Sequence, residues 1–397
     1  MNRDGFSFDR LIAPIGRSSF LRDHYEKAPL VVHRADPDYY GRVLRLEDVW
    51  QFIETRCPGA DDLRVVKFGS DQQPTDHMGP NRRVDPVRLA GLFSEGWTIA
   101  LNNMQDYLPS LGQLCAAAEA EFSAPFQTNL YLTPPDAQGF KPHWDTHDIF
   151  VLQIHGSKNW TLYDTQIELP LVGQTFDEHK PEPGPVSAEF TLHAGDLLYC
   201  PRGLMHAAHA SADTSLHITF GLIGTTWAEL LVEAISKTAL TEPSLRHNLP
   251  FGFARSEYNR QEAADAFARM AATFAEKADF PAIFEHMREK FVGTRRIRRP
   301  GYIEEIARLD QVSSASRVGV RPDLMWFLEG NEETVSLSCG PSTLTMPGFV
   351  RGAMEVAMAS ASFVVSDLPG PLDEDGKVTL VRRMIREGLL RTMGGIY

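Results

Sequence analysis

The stretch QTNLYLTPPDAQGFKPHWDTHDIFVLQIHGSKNWTLYD, residues 127–164, decides how this chain is interpreted. Apolar and alternating runs in it are separated by the turn sequences PPDAQG and HGSK, a pattern that predicts short β-strands. Eight short strands joined by such turns predict a sandwich or a barrel. The predicted strands are Trp97–Asn102, Phe126–Thr133, Asp148–His155, Asn159–Asp164, Glu189–Leu192, Leu197–Cys200, Leu204–Ser211 and Leu216–Ile223.

Outward from this stretch the sequence divides into three parts. Residues 1–225 contain the strands and two predicted helices, Leu46–Arg56 and Leu108–Glu121. Residues 226–320 show the 3.6-residue periodicity of amphipathic helices, as in TWAELLVEAISKTAL. Residues 321–397 combine two helices with a short strand, and a helix ending in an EGLL-like turn is typical of winged-helix modules. The predicted fold class is therefore α+β.

Composition excludes several classes of protein. The chain has 397 residues, of which 43% are hydrophobic and 23% charged, so it is neither disordered nor fibrous. Neither a signal peptide nor an apolar run long enough to span a bilayer is visible, and the four cysteines form no CxxC pair. The net charge of −13 argues against direct nucleic-acid binding and favours a basic partner. A cytoplasmic location is expected.

One constellation of residues suggests metal chemistry. His143 and Asp145 are two positions apart, so in a strand their side chains share a face. His206, at the start of a later predicted strand, can supply a third ligand. Two imidazoles and one carboxylate on one face suit non-haem Fe(II), because three coordination positions remain open. The competing interpretation is structural: Asp145 caps a turn and His143 is a core histidine.

Lys158 is the next candidate. It follows His143 by 15 residues, beyond an apolar strand and a glycine turn, which can place its ammonium inside a barrel. A buried lysine needs an anionic partner, and the far carboxylate of 2-oxoglutarate is one. The alternative is a lysine on a surface turn.

With these residues in place, the chain resembles the JmjC-type, cupin-like ribosomal oxygenases, which are Fe(II)- and 2-oxoglutarate-dependent protein hydroxylases. The resemblance extends to the order of the parts: a double-stranded β-helix (JmjC or cupin barrel), a helical dimerisation region and a winged-helix module. The residues that carry it are Thr128–Pro134, Gln138, Gly139, Pro142–Asp145, Phe150–Gln153, Gly156, Lys158, Trp160, Gly195, Asp196, Pro201–Gly203 and His206.

The resemblance implies roles for individual residues. His143, Asp145 and His206 would be the catalytic iron ligands, and Lys158 would pair with 2-oxoglutarate. Further cofactor-binding positions that it implies are Asn129, Tyr131 and Thr219. Trp144, His147 and Asp148 depart from the family pattern, which implies a different substrate-side surface.

The expected enzyme is a dioxygenase that uses Fe(II), 2-oxoglutarate and O2 to hydroxylate a histidine or arginine side chain of a ribosomal or other protein. Lys158 and the sequence TNLYLTP favour the histidyl-hydroxylase branch. The helical region implies a homodimer, although it can equally pack on its own barrel. Three alternatives stay open: oxidation of a peptide precursor or small amino-acid-like substrate, lysine demethylation, and a catalytically silent cupin-like scaffold.

Overall fold

The computed structural model describes residues 7–70, 74–75, 77–164, 167–174 and 182–394. Residues 1–6, part of the amino-terminal segment in which no signal peptide is visible, lie outside the described residues. The chain forms two compact units, residues 1–224 and 225–397. None of the helices in the described ranges is long and apolar enough to cross a membrane.

In its described residues the first unit has five α-helices and ten strands. Its helices are α1 (Phe8–Ile12), α2 (Arg17–Asp23), α3 (Leu46–Arg56), α4 (Pro86–Ser94) and α5 (Pro109–Phe122). Its strands are β1 (Leu30–Val32), β2 (Leu63–Val66), β3 (Thr98–Leu101), β4 (Phe126–Thr133), β5 (Asp148–His155), β6 (Ser157–Tyr163), β7 (Val186–His193), β8 (Leu197–Cys200), β9 (His206–Ala210) and β10 (Ser215–Leu222).

These strands form two antiparallel sheets. The larger has the order β1-β8-β5-β10-β4-β3-β2, and the smaller has the order β7-β6-β9. Strand β5 shows how one strand serves two layers, because successive side chains point to opposite faces. Ile149 and Val151 pack in a cluster with Trp160 and Leu162 of the smaller sheet. Phe150 packs in the main core, which includes helical residues.

The two packed sheets agree with the sandwich or barrel predicted from the strand pattern. All eight predicted strands are present, and β4, β5 and β8 have the predicted bounds. The helix predicted at residues 46–56 also begins and ends as expected, and the second predicted helix is displaced by one residue at each end. Strands β1 and β2 were not predicted, because three- and four-residue runs carry too little pattern.

The second unit begins with helices and continues into a mixed module. The helices are α6 (Trp227–Thr241), α7 (Arg260–Lys277), α8 (Phe280–Gly293), α9 (Tyr302–Ala307), α10 (Arg351–Ala359) and α11 (Glu374–Arg386). The strands are β11 (Arg317–Val320), β12 (Trp326–Gly330), β13 (Thr334–Cys339), β14 (Ser342–Pro347), β15 (Phe363–Val364) and β16 (Leu390–Thr392).

The carboxy-terminal module has two three-stranded sheets, β15-β11-β16 and β12-β13-β14. The two predicted helices are α10 and α11, and α11 is followed by the short strand β16 as expected. The β12–β14 meander was missed by the sequence analysis. The module's apolar core starts at Leu309 and Val312, before the predicted boundary at residue 320. The winged-helix assignment and the three-part division stay predictions.

Candidate metal centre

His143 and His206 face each other across an isolated antiparallel bridge. The His143 N–H donates to the His206 carbonyl at 3.0 Å, and the His206 N–H donates back at 2.8 Å. The two imidazole centroids are 4.6 Å apart. The segment before β5 is a loop with this one bridge rather than the strand that the two-residue spacing assumed. The bridge brings His143 to His206, whereas the strand expected to place His143 and Asp145 on one face is absent from this loop.

Asp145 joins the two histidines. Its carbonyl accepts a hydrogen bond from the Gly203 N–H at 2.9 Å, which ties the loop to the turn before β9. Its Oδ2 lies 3.8 Å from Nε2 of His206. One ligand atom from each of His143, Asp145 and His206 lies within 4.8 Å of the others. The three residues that the sequence selected thus form one cluster able to hold a cation.

Hydrogen bonds leave the same nitrogen of each histidine available. Nδ1 of His143 lies 2.8 Å from the Lys141 carbonyl, and Nδ1 of His206 lies 3.1 Å from the Leu204 carbonyl. A carbonyl only accepts, so each Nδ1 carries a proton, and in the neutral tautomer that this fixes Nε2 is the nitrogen with the lone pair for a metal. Burial, with the neighbouring His143, lowers the pKa of His206 to about 4. The imidazole is therefore neutral at pH 7, as a metal ligand must be.

The turn that carries His206 is anchored by a buried network. Asp148, at the start of β5, accepts from the Tyr199 hydroxyl at 3.0 Å and from the Arg202 backbone N–H at 3.1 Å. The Arg202 guanidinium also pairs with Asp148 at 3.2 Å and with Glu26 at 2.5 Å. Burial raises the pKa of Asp148, which the Arg202 contacts oppose. This network fixes the turn against β5.

Gly203 is required at that turn. Its φ is +83°, and a Cβ there would lie 2.1 Å from the carbonyl oxygen of Ile167. Both facts exclude other residues. This explains the Pro-Arg-Gly sequence three residues before His206.

A cavity of about 850 Å³ opens beside the three ligands within the first unit. All seven residues predicted for the site line it. They are His143, Asp145 and His206 as metal ligands, and Asn129, Tyr131, Lys158 and Thr219 as cofactor-binding residues.

Lys158 is buried rather than on a surface turn. Its side chain points into the barrel, like those of Trp160 and Leu162 at the next alternate positions of β6. Its Nζ donates to Thr133 Oγ1 at 3.1 Å. Burial lowers the pKa of Lys158 to about 7. No carboxylate of the described residues forms an ion pair with it, so this wall of the cavity suits an anionic ligand.

Asn129, Tyr131 and Thr219 come from paired strands. Asn129 lies opposite Thr219, and Tyr131 lies opposite His217, in the β4–β10 ladder. The Tyr131 and His217 rings stack with centroids 5.0 Å apart. Asn129 Oδ1 accepts from the Asn103 N–H at 3.0 Å, which holds its amide in place.

Among the cavity residues that were not selected from the sequence, three stand beside the predicted ones. His217 is buried, and its Nδ1 has no hydrogen-bond partner among the described residues. Burial and the nearby Lys158 hold the pKa of His217 well below its usual value. Trp160 was noted only as part of the resemblance, and its ring lies 5.8 Å from those of His206 and His217. Arg64 lies on β2, a strand that the sequence did not reveal.

The chain is similar in sequence to several known proteins. Residues 100–230 match the model of the JmjC domain. The chain is 30% identical over 259 residues to the bifunctional lysine-specific demethylase and histidyl-hydroxylase NO66 of Aedes aegypti, covering 63% of this chain and 40% of that one. It is 31% identical over 264 residues to ribosomal oxygenase 1 of Danio rerio, covering 62% and 46%. The chain thus spans less than half the length of these curated relatives.

Solved structures agree at the level of the fold. The Escherichia coli protein ycfD matches with a TM-score of 0.57 at 15% identity, covering 96% of this chain and 98% of that one. A structure of that ribosomal oxygenase in complex with cobalt and 2-oxoglutarate matches with a TM-score of 0.55 at 15% identity, covering 96% and 99%. Residues 100–230 thus match a JmjC domain, and the chain is similar to proteins named as ribosomal oxygenases.

Proposed function

We propose that this protein is an Fe(II)- and 2-oxoglutarate-dependent dioxygenase that hydroxylates a side chain of a protein, with a ribosomal protein as the first candidate. The observation that carries the proposal is the His143–Asp145–His206 cluster on the same cavity as the buried Lys158. The relatives named as ribosomal oxygenases and histidyl-hydroxylase support the choice of reaction.

The donor set fits the proposed metal. Two neutral Nε2 atoms and one carboxylate give a site of intermediate hardness that contains no thiolate. Both Nδ1 protons are held by carbonyls, so the rings are oriented before a metal arrives. His143, Asp145 and His206 would hold Fe(II).

The cavity fits the proposed co-substrate. Lys158 would bind the far carboxylate of 2-oxoglutarate, and Thr133 would hold the ammonium in place. Asn129, Tyr131 and Thr219 line the same wall and would orient the molecule. Bound together, Fe(II), 2-oxoglutarate and O2 supply an oxidant able to insert an oxygen atom into an unactivated C–H bond.

The remaining task of the protein is to position one C–H bond and exclude water. Ile149 and Trp160 give the inner cavity apolar surface, and Phe140 lies over His143 with ring centroids 5.8 Å apart. No acid–base residue is required by this chemistry. A substrate side chain would have to pass the Phe140 ring to reach a metal held by the three ligands.

The test is product formation. Fe(II)-loaded protein should convert 2-oxoglutarate to succinate, and ribosomal proteins from cells that lack the gene should lose the mass of one oxygen atom at one residue. Succinate formation with no protein modified would favour a peptide precursor or small amino-acid-like substrate. No succinate from well-folded, Fe(II)-loaded protein would leave the silent scaffold as the function.

A homodimer is part of the proposal. None of the 18 residues of α7 is buried, and α6 exposes Trp227, Leu231 and Ile235 at four-residue intervals. A stripe of this kind is typical of a helix that packs against a partner, and we assign it to a second copy of the chain. Light scattering should give twice the chain mass, and Leu231→Asp should give the monomer mass. A monomeric wild-type protein would contradict this assignment.

A cytoplasmic location is also part of the proposal. The four cysteines form no disulfide with one another, and three of them are buried, as expected in a reducing compartment.

A further inference from the structure

The mouth of the cavity carries two cations that pair with no carboxylate in the part of the chain that the structure describes. Arg64, on β2, and Lys67, directly after it, are exposed cavity-lining residues. Lys67 Nζ donates to the Glu95 backbone carbonyl at 2.7 Å, which leaves its charge uncompensated. The guanidinium of Arg64 lies 5.1 Å from the centre of the Phe140 ring. Neither side chain forms an ion pair among the described residues.

Arg64 lies close to the reacting region. Phe140, the ring beneath it, packs edge-on against Tyr131 at 5.5 Å and lies 5.8 Å from the His143 ring. Burial raises the pKa of Tyr131, and the nearby positive charge of Arg64 opposes that rise. In a bound substrate, the residue next to the target residue in sequence would therefore lie beside the Arg64 guanidinium.

The charges farther inside cancel when the site is loaded. Fe(II) and protonated Lys158 together balance Asp145 and the two carboxylates of 2-oxoglutarate. Among the described residues that line the cavity, Asp145 is the one carboxylate. An entering substrate then meets a mouth of net positive charge, the opposite sign to that of the whole chain, which is −13. Local charge at the mouth decides which side chains are admitted, since exposed charges farther away than about 10 Å are screened.

We infer that the substrate is a protein segment in which a neutral target residue lies next to an aspartate or glutamate, and that Arg64 and Lys67 bind this acidic side chain. The inference rests on the proposed hydroxylase function and specifies its substrate. A guanidinium presents a fork that matches a carboxylate, and Lys67 adds a second positive charge. A cationic target, arginine or methylated lysine, is disfavoured at the same mouth. The net negative charge of the whole chain favours a basic partner, whereas the positive charge at the mouth of the cavity favours an acidic segment.

The test uses synthetic peptides with a central histidine. One series has aspartate at the flanking positions, one has serine, and one has lysine; a fourth replaces the central histidine of the aspartate series by arginine. Fluorescence anisotropy measures binding to the metal- and 2-oxoglutarate-loaded protein without oxygen, and mass spectrometry measures hydroxylation with oxygen. An exposed ion pair contributes up to about 1 kcal/mol, so each correct contact should change the Kd about fivefold.

The expected order of affinity is aspartate, then serine, then lysine. R64Q should weaken binding of the aspartate series about fivefold and leave the serine series unchanged. The matched control is R42Q, which removes an exposed arginine outside the cavity and should change neither. The Kd for 2-oxoglutarate should be the same in wild type and R64Q. Equal binding of the three series would overturn the inference. A changed 2-oxoglutarate Kd in R64Q would also overturn it, because Arg64 would then bind the co-substrate.

Binding and turnover separate the two proposals. Hydroxylation that is indifferent to flanking charge would overturn the inference and leave the proposed function standing. Binding that depends on the aspartate and on Arg64, with no hydroxylation of any peptide and no succinate, would support the acidic binding site and overturn the proposed hydroxylase function. Displacement of the aspartate peptide by a short single-stranded RNA of higher affinity would overturn the inference in favour of a nucleic-acid partner.

Discussion

The buried Lys158 should make the binding of 2-oxoglutarate depend on pH in a defined direction. In the empty cavity its pKa is lowered to about 7 by burial, and its hydrogen bond goes to the neutral Thr133 hydroxyl. A carboxylate placed beside the ammonium favours the charged form and raises the pKa. Binding above pH 7 must therefore take up a proton.

The size of the effect follows from this pKa. Roughly half of the Lys158 side chains are protonated at pH 7 and about a tenth at pH 8, so binding should take up about 0.5 and about 0.9 protons respectively. The Kd of 2-oxoglutarate should be flat below pH 6 and rise toward tenfold per pH unit above pH 7.5. The rise ends where the pH reaches the raised pKa of the bound state.

Lys158→Met gives the complementary prediction. The folded pKa of Lys158 is lower than its ordinary value of 10.5, so the unfolded chain binds the proton more tightly and wild-type stability increases as the pH rises from 7 to 10.5. Methionine removes the cost of burying a charge, and the metal-free variant should be more stable than wild type at pH 6 by on the order of 3 kcal/mol. It should bind 2-oxoglutarate at least about 100-fold more weakly.

The assay is anaerobic calorimetry of 2-oxoglutarate binding to metal-loaded protein in phosphate and in Tris, whose ionisation heats differ. The difference between the two enthalpies gives the number of protons taken up. Lys67→Met, at the mouth of the same cavity, is the matched control and should behave as wild type toward 2-oxoglutarate. Equal enthalpies in both buffers at pH 8, or tight binding by Lys158→Met, would refute the reasoning.

Three further changes have defined outcomes. Asp145→Ala should weaken Mn(II) binding, followed by electron paramagnetic resonance, more than about 100-fold because one of three ligand residues is lost, whereas the exposed Asp61→Ala should not change it. Gly203→Ala should destabilise the protein by about 2 kcal/mol or more in urea unfolding, since its Cβ would meet a backbone carbonyl at 2.1 Å; an unchanged midpoint would contradict the account of that turn. Arg202→Met should cost about 3 kcal/mol by leaving Asp148 buried without its ion pair, and adding Asp148→Asn should restore part of that stability; no recovery in the double variant would mean that the pair does not act as a unit.

The barrel strands were predictable because their pattern is local. Strands β4, β5 and β8 are apolar or alternating runs bounded by turn residues, and they occur where the sequence places them. Strand β2 has four residues and is held in the sheet by its ladder to β3, so nothing within the run itself identifies it. Arg64 was missed for that reason, and with it the charge at the mouth of the cavity.

The site was predictable in membership and only partly in geometry. The resemblance selected His143, Asp145 and His206 across 63 residues of chain, and the structure places them together. Strand alternation was expected to place His143 and Asp145 on one face, but these residues lie in a loop. A backbone bridge holds His143 against His206, and a hydrogen bond from the Gly203 N–H to the Asp145 carbonyl holds the loop at Asp145. His217 was left among several spare histidines because the Tyr131 ring that covers it becomes its neighbour only through the pairing of β4 with β10.

The most direct test of the central claim is an anaerobic titration of the metal-free protein with Fe(II) and 2-oxoglutarate, followed by the weak visible charge-transfer band of the ternary complex. Wild-type protein should give a band that saturates at one equivalent of each, and His143→Ala, if folded as judged by circular dichroism, should give none. A folded wild-type protein that gives no band, or a band of equal intensity in the variant, would contradict the assignment of this cluster as an iron and 2-oxoglutarate site.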